Sequence, residues 1–102
     1  MQHEIDQIKQ GIEQCKSAGD MMFKPNLNGE GFSLKEIRLK PLGDLLYRRK
    51  YKVNYDNGDW IQIEYSSKYA DVKAATGPHY SEVKVTCSDP SQNFTDGWNE
   101  KA

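Results

Sequence analysis

The chain has 102 residues, 14 Lys or Arg against 15 Asp or Glu, and a net charge of −1. That length suits one domain and argues against a second independent core. Only 36% of the residues are hydrophobic and 28% are charged, so the expectation is a folded domain with a thin core and a very polar surface. No apolar run approaches membrane-spanning length.

Residues 3–17 read as an amphipathic helix. Ile5, Ile8, Ile12 and Cys15 recur at spacings of three, four and three, which places them on one stripe. Gly19 is suited to a left-handed cap that ends the helix. After the short apolar run Met21-Met22-Phe23, the segment 25–31 carries Pro, Asn and Gly and reads as a turn-rich loop. Phe32 to Lys40 reads as a strand. Phe32 and Leu34 differ in parity from Ile37 and Leu39, so a bulge near Lys35-Glu36 is expected if all four are core. Pro41 and Gly43 break that strand, and the next starts near Asp44 or Leu45.

The run Tyr47 to Tyr65 is two alternating segments around Asp56-Asn57-Gly58, a long β-hairpin. A two-residue loop would pair Val53 with Gln62 and set the two apolar rows on opposite faces. A three-residue loop pairs Val53 with Ile61 and Tyr51 with Ile63, so both rows share one face. That loop is a type I turn followed by a left-handed residue, a position that Gly58 fills. The same phase sets Arg48, Lys50, Lys52, Asn54 and Trp60 on the opposite face, with Lys50 across from Glu64.

Between Ser66 and Gly77 the pattern is ambiguous. Tyr69, Val72 and Ala75 at intervals of three suit one or two helical turns, and an irregular loop is the alternative. Tyr80 to Ser88 alternates as a strand, with Ser81, Val83, Val85 and Cys87 on one side, and Pro90 stops it. Residues 1–90 thus form one unit. Residues 91–102 read as a polar C-terminal tail with Phe94 and Trp98 as anchors, expected to fray. The fold expected is α+β: one N-terminal helix packed on a curved four-stranded antiparallel meander. In element order alone this resembles the cystatin-like arrangement, a resemblance that carries over no functional residue.

Charge is segregated along the chain. Residues 35–52 hold seven basic and two acidic side chains, whereas residues 1–34 hold three and five, and residues 53–102 four and eight. A basic strip on an otherwise acidic chain steers anionic partners. The alternative is that its charges pair with acids on neighbouring strands.

Motifs for chemistry are sparse. His3 and His79 are the two histidines, and neither belongs to a cluster with metal-ligand spacing, so no metal or cofactor is expected. Cys15 lies on the helix stripe and Cys87 on a core-facing strand row, which makes small packed thiols of both. The triplet Asn93-Phe94-Thr95 matches a glycosylation acceptor, but Met1 to Glu4 has no basic n-region and no secretory signal is read, so the location expected is cytoplasmic.

The function expected is that of a small non-enzymatic binding protein that engages an acidic protein surface through Arg48, Lys50, Lys52, Asn54 and Trp60. In type it resembles immunity proteins and phage-encoded inhibitors of host defence. One alternative is a nucleic-acid-binding accessory protein using the same cations and indole. Another is a small enzyme or ligand binder with Tyr47, Tyr51, Tyr65, His79 and Tyr80 lining a pocket between helix and sheet. Self-association is compatible with a thin core.

Overall fold

The structure, a computed structural model, describes residues 2–19, 23, 25, 32–39, 45–71 and 76–99. Helix α1 (Gln2–Ala18) is followed by strands β1 (Phe32–Leu39), β2 (Leu45–Tyr55), β3 (Trp60–Asp71) and β4 (Thr76–Cys87). A short 3-10 turn (Pro90–Gln92) then leads into β5 (Phe94–Asn99). The five strands form one sheet in the order β1-β2-β3-β4-β5, each antiparallel to its neighbour. The α+β class and the meander are as expected, and the fifth strand is an addition to them.

The helix forms where its stripe predicts. Ile5, Ile8 and Ile12 are all buried, and Cys15 packs partly buried against the same core. On the outer surface Gln2 Nε2 donates to Asp6 Oδ1 at 2.8 Å, and Lys16 Nζ pairs with Glu13 at 3.3 Å. Gly19 closes the helix with φ 65°, its N–H donating to the Lys16 carbonyl at 3.2 Å. This is the left-handed cap that residues with a Cβ rarely supply.

The hairpin has the three-residue loop. Gly58 N–H donates to the Tyr55 carbonyl at 3.1 Å, Tyr55 N–H to the Asp59 carbonyl at 2.9 Å, and Gly58 has φ 92°. Val53 accordingly faces Ile61, Tyr51 faces Ile63, Lys50 faces Glu64 and Asn54 faces Trp60. β4 continues the phase, with Cys87 opposite Ile61, Val85 opposite Ile63 and Val83 opposite Tyr65. These residues and the three helix isoleucines form one buried cluster.

Three expectations change. The bulge expected at Lys35-Glu36 is absent, because β1 pairs with β2 without a break from Phe32 to Leu39; register shifts lie instead between Leu45 and Tyr47 and between Tyr69 and Asp71. The segment read as helical turns or loop is instead strand up to Asp71 and again from Thr76, with residues 72–75 outside the described set. Alternation persists as far as Lys68, but a buried serine, Ser67, occupies the inward position where an apolar residue would have advertised it. The segment read as a fraying tail carries β5.

Several local contacts hold β5 in place. Asp89 accepts from Ser91 N–H at 3.2 Å and caps the 3-10 turn, and Asn93 Oδ1 accepts from Cys87 N–H at 2.9 Å. Asp96 pairs with Lys16 of the helix at 2.7 Å. Trp98 is only 5% exposed and lies opposite Ser81. Its ring stacks with Tyr65 at 6.3 Å and meets Phe23 edge-on at 6.4 Å. On the other face of β5, a Cβ at Gly97 would run into the Tyr80 hydroxyl and approach the Ser81 carbonyl oxygen at 3.0 Å. Gly97→Ala is therefore expected to cost about 1–3 kcal/mol in urea unfolding, with part of the loss recovered when Tyr80→Ala is added. A neutral Gly97→Ala would show that Tyr80 swings away without cost.

Candidate protein-binding face

The helix covers the sheet face that carries the odd-numbered residues of β2, β3 and β4. The even-numbered residues form the other face, since side chains alternate along a strand. On β2 this face carries Arg48, Lys50 and Lys52, all half-buried, and Asn54, exposed. β3 contributes Trp60, Gln62, Glu64, Ser66 and Lys68, all half-buried, and β4 contributes the exposed Glu82 and Lys84. All five residues expected at the site share this face. Lys68, Glu82 and Lys84 join them from positions that sequence reasoning did not assign to it. Lys68 falls in the segment left ambiguous, whereas Glu82 and Lys84 alternate with the core-facing Val83 and Val85 and were within reach of the strand pattern.

Two rows cross the sheet here. One runs Arg48, Ser66, Glu82 and Gly97; the next runs Lys50, Glu64, Lys84 and Thr95. Gln62 Nε2 donates to Glu64 Oε1 at 3.1 Å, so that carboxylate serves a neighbour on its own strand besides facing Lys50. A depression of about 170 Å³ opens between these strands, lined by Arg48, Arg49, Glu64, Tyr65, Ser66, Glu82 and Lys84. The described part of the face holds five cations, Arg48, Lys50, Lys52, Lys68 and Lys84, against two carboxylates, Glu64 and Glu82. The β1 register sets Lys35 opposite Lys52, whereas Arg38 lies opposite Arg49 in the odd-numbered row.

Trp60 stands at the hairpin end of the face. Lys52 Nζ lies 5.5 Å from its ring centroid, a cation–π arrangement. Its backbone is fixed twice over: Trp60 N–H donates to Ser88 Oγ at 3.2 Å, and Ser88 N–H donates to the Trp60 carbonyl at 3.0 Å. Ser88 Oγ also donates to Asp59 Oδ1 at 3.2 Å. The indole is thus carried on a rigid corner rather than on a loose loop tip.

The residues of the pocket alternative do not share a face. Tyr51 and Tyr65 are buried on the helix side with Tyr47 packed against them, whereas Tyr80 lies on the open side over Gly97. Tyr65 shares a hydrogen bond of 3.1 Å with Ser81 Oγ, and burial pushes its hydroxyl pKa up. Cys15 and Cys87 are both free thiols, and Cys87 Sγ donates to the Asp89 carbonyl at 3.0 Å. Among the described residues no three His, Cys, Asp or Glu side chains gather as metal ligands. No helix among them is long and apolar enough to cross a membrane.

Electrostatics at the hairpin corner carry a pH dependence. Burial, then the Glu4 and Asp59 carboxylates, push the Tyr55 hydroxyl up to about 12. The unfolded chain releases that proton near 10, so the folded state binds it more tightly between those values. The contribution of Tyr55 is fully present below about pH 10 and is lost as pH rises towards about 12. Lys16, raised chiefly by its hydrogen bond to Asp96, loses its contribution in the same alkaline direction. Tyr55→Phe is expected to flatten, without abolishing, the fall in unfolding midpoint between about pH 9 and about pH 11.5. An unchanged slope would remove Tyr55 as a source of it.

No protein-family model, no curated protein sequence and no solved structure matches the chain.

Proposed function

We propose that this chain is a small non-enzymatic binding protein that docks its open sheet face on an acidic surface of a protein partner, as an inhibitor or immunity protein does. The observation that carries the reading is the placement of Arg48, Lys50 and Lys52 in line on one face of β2, beside an indole on a fixed corner, in a chain of net charge −1. Complementary charge governs the rate and specificity of docking more than its affinity. Trp60 supplies the aromatic anchor on which affinity concentrates.

The test is capture from the source cells by the immobilised chain and by an Arg48→Glu, Lys50→Glu, Lys52→Glu triple variant, with bound proteins identified by mass spectrometry. The side chains lie on the polar face, so the variant is expected to keep the circular dichroism spectrum while the principal partner falls by at least about tenfold at physiological salt. Equal capture by both forms would eliminate this face as the docking surface. Addition of Trp60→Ala to the unreversed chain is expected to weaken the same partner by about 2 kcal/mol or more.

A further inference from the structure

We infer that the element this face receives is an extended acidic segment of the partner, laid along β2 with alternate carboxylates on Arg48, Lys50 and Lys52. The inference rests on the docking reading above and adds the geometry of what docks. Alternate residues of a strand stand roughly 6.7 Å apart and lie in a straight line. Arg48, Lys50 and Lys52 therefore present three cations at that repeat, and Asn54 continues the line to the corner that holds Trp60.

An extended chain matches this repeat with its own alternate side chains. A helix does not: each step of four residues advances about 6 Å but turns the side chain by roughly 40°, so the third carboxylate swings off the line. The depression between β2, β3 and β4 supplies the volume for one carboxylate. Its lining sets Arg48, Arg49 and Lys84 against Glu64 and Glu82, three cations to two carboxylates, and Ser66 lies between Arg48 and Glu82 in the register. A guanidinium receives a carboxylate through two parallel N–H donors, which gives this end the stricter geometry. At the other end, the fourth alternate side chain meets Asn54 and Trp60 and is apolar or aromatic. Glu64 and Glu82 repel a segment with acids at every position, so the pattern favours acids at alternate positions.

The experiment titrates the full-length chain, isotopically labelled for amide NMR, with four probes. The first is a peptide with Glu at alternate positions and a terminal Phe. The second has the same composition with its Glu residues contiguous. The third is a helix-forming peptide with Glu at every fourth position, and the fourth is a ten-residue oligothymidine. The alternating peptide is expected to shift the amides of residues 48–54 and 60–66, to bind at least about tenfold more tightly than the other two peptides, and to weaken by about tenfold or more as salt screens the charges. Lys50→Glu is expected to remove that binding while leaving the spectrum folded. Equal binding of the contiguous or helical peptide, or no binding of any peptide, overturns the geometry. Tighter binding of oligothymidine overturns the choice of a protein segment in favour of nucleic acid. If the charge-reversed variant loses its partner in capture while the peptides fail to discriminate, the docking face stands and this geometry falls. If capture is indifferent to the reversal, both fall.

Discussion

Trp98→Ala is expected to destabilise the protein by about 3–5 kcal/mol, a large share of the 5–15 kcal/mol typical of a domain. The side chain is 5% exposed and touches two other aromatic rings, Tyr65 and Phe23. Its removal leaves a cavity beside Tyr65, Phe23 and Ser81. It also frees the strand that Lys16 and Asp96 tie to the helix end. Guanidinium unfolding followed by circular dichroism measures the loss, and Trp98→Phe, which keeps most of the buried ring, serves as the comparison. A loss below about 1 kcal/mol would mean that β5 is not part of the cooperative unit.

Ile8→Ala comes next, with an expected loss of about 2–5 kcal/mol. Ile8 is the middle of three helix isoleucines that seal against Val53, Ile61, Ile63, Val83 and Val85, and it is 2% exposed. A short helix in water has little stability of its own, so the energy holding α1 comes from that apolar stripe. Losing one of three contacts loosens the lid over the whole inner face. Ile8→Val, which removes one methylene, is expected to cost about 0.5–1.5 kcal/mol. If Ile8→Ala instead splits unfolding into an early helix transition and a later sheet transition, the helix is a separate unit and the cooperative account fails.

The hairpin was legible in the sequence because its parities conflict unless the loop has three residues. Tyr51 and Val53 on one strand and Ile61 and Ile63 on the other admit one shared face, and Gly58 supplies the conformation that loop requires. The helix was legible through Ile5, Ile8 and Ile12, and Gly19 marked its end. β5 was hidden because only Phe94 and Trp98 in it are apolar and the rest of its attachment is polar. The Asp96–Lys16 pair and the Asn93–Cys87 bond join residues whose proximity no local pattern announces, whereas the Asp89-Pro90 cap is a local signal that marks a turn and not the strand after it. The second half of β3 was hidden because Ser67 takes an inward position with a hydroxyl. The candidate face was legible as far as β2 and the start of β3. The side of the sheet that Glu82 and Lys84 occupy follows from their alternation with Val83 and Val85; what the sequence left open is their rows, Glu82 beside Ser66 and Lys84 beside Glu64.

Ser67 and Ser81 face each other across β3 and β4, 1% and 0% exposed, with Tyr65 bonded to Ser81. A hydroxyl interior at that point is a poor source of cohesion, but it acts as a phasing mark. Sliding β4 by one residue would invert its faces, carrying Glu82 and Lys84 beneath the helix and turning Val83 and Val85 to water. Interring those charges costs several kcal/mol each, whereas the serines are small enough to be enclosed only when the strands are in step. A ribbon slipped by one residue would therefore offer the helix a charged face, and the apolar stripe of α1 closes only on the parity that turns Val83 and Val85 inward.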